Sequence, residues 1–408
     1  MKKIVLFIIF LSLLNATTLK SMLNSSKLQN DLVLSKDLEV LSSKKSIGVV
    51  KSSYLPTVDI GGFAQSLYPK TPMMAGTACG VYAKLNYTIY DGKTKKYTLR
   101  QKRFELLSKE FESLEFKRSL ALLIIKDYFE IKSLDSLLLA IKSKKKSLLS
   151  SVKKAKYYFK SGLIESSEVD RLKAELEMVN YNISSLKLQK ATLLSDLSLK
   201  VGKKIKNIDN TYFIKKRVKF SVNNEIKSIL AKSTSVSSEA KIIKSANNPK
   251  VNLDIEYDIY GYERYDLMHP RGVDKQAKVS LNANMRVYDG GVTKEKAQIA
   301  KIQALSIALQ AKHKLKEQKS NFNLAKLRIR NIKNKIKSAK VSFNSANRFF
   351  KDTEKKYKAG FIDNSLYLDA LAQKTEALAE YKRALNDLEV AYGLYYYYAG
   401  KNLKGYIK

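Results

Sequence analysis

The sequence predicts a mixed α and β fold, mostly α, in which each chain supplies four strands to a barrel wall and two long helical hairpins. Three observations carry this expectation. First, counting forward 198 residues maps the chain onto itself: Asp91-Gly92 becomes Asp289-Gly290 (289 − 91), Gly162 becomes Gly360 (360 − 162) and Gly202 becomes Gly400 (400 − 202). Second, each repeat holds two short stretches that alternate apolar and polar residues. Third, residues 92–161 and 290–359, 70 in each case (161 − 92 + 1), contain no proline and no glycine beyond the opening turn. A repeat of this length sets the architecture. It divides the chain into a leader, 1–16, and two structural repeats, 17–210 and 211–408, each with a helix, two strands and a long helical hairpin.

The leader is read from Met1-Lys2-Lys3, the apolar run 4–14 and the small Ala16. Basic start, apolar middle and small residue at the cut are the pattern of a secretory signal peptide. The run is about half the ~20 residues a membrane-spanning helix needs. Cys79 is the only cysteine, so no disulfide forms within one chain, and stability has to come from packing or assembly. The chain carries 76 Lys and Arg against 38 Asp and Glu, a formal charge of +38. Such an excess suits nucleic-acid binding. Here the lysines are scattered, tryptophan is absent, no nucleic-acid motif occurs and the leader predicts export. Solvated helix faces account for the lysines, and nucleic acid is not an expected partner.

The strands follow. In the second repeat Val251, Leu253, Ile255, Tyr257 and Ile259 alternate with Asn252, Asp254, Glu256 and Asp258, and 279–287 alternates in the same way. In the first repeat Val81, Ala83, Leu85, Tyr87 and Ile89 alternate with polar or aromatic residues, and 57–67 is a weaker strand softened by Gly61 and Gly62. Period two puts the apolar side chains on one face. Strands of about ten residues with this pattern suit the wall of a membrane barrel, the one strand architecture that satisfies its backbone in lipid. A soluble sheet would need an apolar lid, and the lysine-rich helices do not offer one. Tyr260, Tyr262 and Tyr265 suit an interfacial aromatic belt, and Pro69, Pro72 and Pro270 mark loops between strands. Barrels of about eight strands are already filled by side chains, so four strands per chain imply an oligomer.

The helices after Asp91-Gly92 and Asp289-Gly290 would each be about 105 Å long at 1.5 Å per residue. Shorter helices over 17–53 and 163–201 would stack end to end beside the first of them. The returning helix carries a three-four seam of Val169, Leu172, Leu176, Val179, Ile183, Leu186, Leu193 and Leu197, with Lys190 in the one gap. Its counterpart is Tyr367, Ala370, Lys374, Ala377, Tyr381, Ala384, Leu388, Ala391 and Tyr395. Such spacing argues for coiled-coil packing. Gly162 and Gly360 sit where each long helix reverses, since glycine permits the positive φ that ends a helix.

Strand, Tyr-Asp-Gly, long helix, Tyr-x-x-Gly turn, coiled-coil return and closing glycine, used twice, resemble the TolC-like outer-membrane efflux proteins. Tyr90-Asp91-Gly92 and Tyr288-Asp289-Gly290-Gly291 resemble that family's strand-to-helix junctions. The stretch 360–400, with Leu368-Asp369-Ala370-Leu371 and Ala391-Tyr392, is similar to its C-terminal signature, and Tyr54-Leu55-Pro56 to its helix-to-strand passage. The resemblance covers nearly the whole chain after the leader. It implies a homotrimer, with a twelve-stranded barrel in outer-membrane lipid continued by a long periplasmic α-helical tunnel. It also implies a periplasmic adaptor and an inner-membrane pump or secretion transporter as partners, and a passive channel gated at its helical tip.

The resemblance further implies that acids just after the tip turns line the constriction. Glu168 and Asp369 match such positions, whereas Leu366 replaces a further acid. Helix-start charge is the plainer account of both acids. No catalytic, cofactor or metal site is expected: His269 and His313 have no partner at metal or triad spacing. Tyr395-Tyr396-Tyr397-Tyr398 is expected to pack at a helix end. The other reading of the whole chain is a periplasmic coiled-coil adaptor or scaffold without a membrane barrel. Neither reading identifies the exported substrate.

Overall fold

The computed structural model describes residues 18–69, 77–262 and 274–408. The leader expected over 1–16, and Pro72, Tyr265, His269 and Pro270, lie outside those residues. The order of elements is α1 (Leu19–Gln29), α2 (Asp31–Ser52), β1 (Thr57–Ser66), β2 (Thr77–Tyr90), α3 (Thr94–Lys160), α4 (Ser166–Val201), α5 (Asn224–Ser245), β3 (Lys250–Tyr262), β4 (Lys275–Asn284), α6 (Val292–Lys358) and α7 (Asn364–Tyr398). The long helices have 67 residues each, and both of their ends are offset by 198 (292 − 94, 358 − 160). Among the described residues no helix is long and apolar enough to cross a membrane.

The chain divides into two compact units, and each takes pieces from both repeats. One holds the sheet, α5, most of α2 and the first turns of α3 and α6, over residues 37–112 and 225–314. Its sheet is a four-stranded antiparallel meander in the order β1-β2-β3-β4. Helix α5 buries small hydroxyl residues, Ser228, Ser235, Ser238 and Ser245. Small side chains bring it close to its neighbours: the Ser235 hydroxyl donates to the Gln101 carbonyl and Ser233 to that of Ala304.

The other unit holds both helical hairpins. Its main core joins Leu120, Ile124, Ile125, Tyr128 and Phe129 of α3 to Leu19, Met22 and Leu23 of α1 and to Tyr392, Tyr395 and Tyr396 of α7. A second cluster near the hairpin turns joins Leu148 and Val152 to Val169, Leu172, Val179 and Ile183 of α4 and to Phe350, Tyr367 and Ala370. The expected seams are therefore core: Val169, Leu172, Val179, Ile183 and Leu197 are buried in α4, and Tyr367, Ala370, Ala377, Ala384, Leu388 and Ala391 in α7. Lys190 in the first seam pairs with Asp135, and Lys374 in the second lies 4.1 Å over the Phe350 ring.

Three expectations need correction. The helix expected over 17–53 is two helices broken at Asn30, which has extended backbone (φ −83°, ψ 120°). Its side-chain oxygen accepts from the Val33 amide, and its Nδ2 donates to the carbonyls of Leu199 and Lys200. One asparagine thus starts α2 and closes α4. In the second repeat, α5 begins only at Asn224, and the segment before it, from Lys203, carries no helix or strand. Strand β4 stops at Asn284, so Met285 and Val287 of the expected strand lie outside it.

Candidate functional site

Two surfaces carry the chemistry, the sheet and the pair of hairpin turns. The register of the sheet puts one row in line across all four strands: Val58 pairs with Leu85, Leu85 with Ile255 and Ile255 with Val279. This face is apolar and uncovered in the single chain, with Val279 69% and Leu281 66% exposed. The opposite face is polar and has ordered rows of its own. Asp59 pairs with Lys84, Lys84 with Glu256 and Glu256 with Lys278, so charge alternates along that row. Opposite charges in directly facing positions stabilise a sheet by about 0.2–1 kcal/mol each.

Gly61 of β1 and Gly80 of β2 are also explained. An added Cβ at Gly61 would lie 2.5 Å from the Tyr82 ring, and one at Gly80 would lie 2.9 Å from Phe63. Rings crossing from the neighbouring strand occupy that space. Phe63 meets Tyr260 edge to face at 6.1 Å. Tyr260 therefore shares the polar face of Asp258, two residues away. This corrects the expected aromatic belt for Tyr260, which is not on the apolar face.

The strand-to-helix junctions are helix caps. The Lys95 amide donates to an Asp91 carboxylate oxygen, and the Thr94 hydroxyl to the Asp91 carbonyl. In the second repeat the Asp289 carboxylate accepts from the amides of Gly291 and Thr293 at 3.0 and 2.9 Å. The bonds from Thr293 are the main cause of its lowered pKa. Burial, and then the hydrogen bond to Asp91, push the Tyr54 hydroxyl pKa well up. Gly92 and Gly290 both have positive φ, +71° and +68°. Their surroundings differ. A Cβ on Gly92 would lie 2.6 Å from Asn248, whereas Gly290 faces open space.

The hairpin turns are Schellman closures. At Gly162 (φ +69°) the Leu163 amide donates to the Tyr158 carbonyl. At Gly360 (φ +82°) the Phe361 amide donates to the Lys356 carbonyl. Leu163 and Phe361 are then presented to solvent, 68% and 81% exposed. Glu168 is joined across the hairpins: Asn364 Nδ2 lies 3.4 Å from its carboxylate, and Arg171 lies 3.5 Å away. Asp369 is exposed on α7. The structure does not bring Glu168 and Asp369 together within one chain. Counting back 198 places Asp369 opposite Arg171 and Leu366 opposite Glu168, so the repeats exchange charge at this level.

Residues that sequence reasoning passed over hold the turns together. Lys154 of α3 donates to the carbonyls of Tyr357 and Lys358 at 3.1 and 3.0 Å, capping the last turn of α6. The Tyr357 ring stacks on Tyr367 at 4.5 Å, and burial raises its hydroxyl pKa. A lysine among many carries no sequence signal; only the neighbouring helix end singles out Lys154. His313 lines an apolar groove with Ile229, Ile302, Leu305 and Leu309.

Comparison with solved structures decides the fold. The chain superimposes on the outer membrane channel CmeC of Campylobacter jejuni with a TM-score of 0.82 at 17% identity, over 95% of this chain and 86% of that one. The chain has the TolC-like fold. The outer membrane protein VceC of Vibrio cholerae gives 0.79 at 10% identity, over 94% and 96%. The open-state MtrE channel of Neisseria gonorrhoeae gives 0.78 at 11%, over 94% and 89%. No family model and no curated relative matches the sequence. In this TolC-like chain, then, the architecture is shared while most individual side chains are not.

Proposed function

We propose that the protein is the outer-membrane exit duct of a tripartite efflux or type I secretion system. In this reading it is a passive homotrimeric channel whose helical extension lies in the periplasm. The observation that carries the reading is the sheet. An uncovered apolar face backed by a polar face with ordered charge rows suits a barrel wall between lipid and water. An adaptor or scaffold without a barrel has no use for it. The repeat supports assembly. Within the chain, Gly92 is covered by Asn248, while its repeat equivalent Gly290 faces open space. A neighbouring copy would cover Gly290 at the corresponding place, one repeat further round the ring. Three copies give twelve strands, the number the family resemblance implies.

The hairpin turns are the proposed gate and docking end. Lys154 and the bond between Glu168 and Asn364 tie the hairpins together at that end. Asp369 is proposed to face its equivalents, or Arg171 at the same level, around the axis. The exposed Leu163 and Phe361 offer the adaptor an apolar contact at repeat-equivalent positions, and the pump beyond the adaptor supplies the energy.

Membrane fractionation with unheated and boiled electrophoresis tests the duct. A heat-sensitive oligomer in the outer-membrane fraction is expected, and a soluble monomer would end the reading. Asp369→Ala combined with Glu168→Ala is expected to raise single-channel conductance or antibiotic leakage. No change in either would remove these acids from the gate.

A further inference from the structure

The irregular segment before α5 and the last residues of the chain lie side by side in the unit of the helical hairpins. The Ile214 amide donates to the Tyr406 carbonyl, the Lys408 amide to the Tyr212 carbonyl, and Phe213 bridges to Ile407. Residues 203–219 and 401–408 are 25 in all and contain ten basic side chains against one acid, Asp209. At the chain's average of +38 over 408 residues, 25 residues would carry a net charge of about 2. The belt they form is therefore more basic than the chain's average.

The belt is held rigidly. The Tyr396 hydroxyl accepts from the Lys216 amide and the Tyr395 hydroxyl from the Val218 amide, both at 3.0 Å. The Tyr128 hydroxyl donates to the Asp209 carbonyl. These tyrosines fix the backbone, with Val218 and Phe220 half-buried and Lys215, Arg217 and Lys219 exposed. Among the described residues only Lys215 of the ten cations has an ion-pair partner, Glu389 at 3.2 Å.

We infer that this belt binds an anionic cell-wall polymer, a glycan carrying carboxylate-bearing peptides. The inference rests on the export-duct reading, since a duct between two membranes has to pass through that layer. The form of the belt favours a polymer over a folded protein. It offers basic side chains along an irregular segment and a C-terminal tail that closes in a 3-10 helix, Leu403–Tyr406, and Tyr212 is its only exposed large apolar side chain. Stable protein interfaces need buried aromatic or apolar anchors and are depleted in lysine.

The test is cosedimentation of the detergent-solubilised full chain with purified peptidoglycan sacculi. Lys203, Lys204, Lys206, Arg217 and Lys219 are changed to Gln together. A control removes the same charge from α6, with Lys319, Arg330, Lys333, Lys337 and Lys340 changed to Gln. The belt variant is expected to bind about fivefold less than wild type at low salt, with the control within about twofold and wild-type binding lost at high salt. Equal loss in both variants, or no binding by wild type, overturns the inference. So does stronger binding to phosphatidylglycerol vesicles than to sacculi, lost in the same belt variant. Planar-bilayer conductance of the same samples separates the two readings. A conducting channel that ignores sacculi sinks the belt alone, whereas sacculus binding without conductance supports the belt and sinks the duct.

Discussion

Gly202 and Gly360 both end helices with positive φ, yet they tolerate change differently. A Cβ on Gly360 enters open space, so Gly360→Ala is expected to cost about 1–2 kcal/mol, from its backbone conformation alone. A Cβ on Gly202 would lie 2.4 Å from the Gln29 carbonyl oxygen, at the break between α1 and α2, so Gly202→Ala is expected to cost more. Thermal unfolding of the two variants side by side checks the difference, and equal shifts would show that the close approach is unimportant. Lys154 acts at the same scale. Lys154→Met removes two charge-assisted bonds to the end of α6. Higher conductance with an intact oligomer is expected, and wild-type conductance would remove Lys154 from the proposed gate.

At the scale of elements, the caps decide where helices begin and end. Asp289 holds the first turn of α6, and its pKa is lowered from the ordinary value of 3.8. A lowered pKa means that its stabilisation is fully present above the ordinary value and is lost as pH falls through the folded value. The difference in melting temperature between wild type and Asp289→Asn is therefore expected to shrink below pH 3.8. A constant difference would mean that the carboxylate charge is not what holds the turn. The basic segment depends on Tyr128 in the same way. Tyr128→Phe leaves the Asp209 carbonyl without that donor and is expected to cost about 1 kcal/mol. Faster proteolysis within 203–219 is the readout, and unchanged cleavage would show that Tyr395 and Tyr396 suffice.

For the whole molecule, the two faces of the sheet make opposite demands. Leu281 and Ser280 are neighbours on β4 and point to opposite faces. In the barrel reading Leu281→Lys meets lipid and is expected to cost about 2–4 kcal/mol near the midplane, abolishing the heat-sensitive oligomer. Ser280→Lys faces the lumen and is expected to assemble. Assembly of both variants would argue that the apolar face never meets lipid. The alternating row Asp59, Lys84, Glu256 and Lys278 belongs to this scale too, because its members come from four strands.

Much of this was legible in the sequence, because it depends on periods and offsets. Period two marked the strands, three-four spacing marked the seams, and the offset of 198 recurs in the ends of α3 and α6. Such patterns are local or repeated, so one chain read alone reveals them. Tertiary structure alone showed which residues act across elements. Asn30 is an ordinary helix residue until its amide reaches the end of α4. Tyr395 and Tyr396 are a helix end until their hydroxyls fix the basic segment. Glu168 and Asp369, alike in sequence, part company because Asn364 lies beside only one of them. The sequence by itself determined the long helices, the strands, their duplication and the two faces of the sheet, though not where every element starts and stops, since side-chain pattern follows backbone period. The tertiary structure decided how Asn30 and Lys154 meet distant helix ends and how tyrosines anchor the basic segment, because each is a contact between residues tens to hundreds of positions apart that no local period encodes.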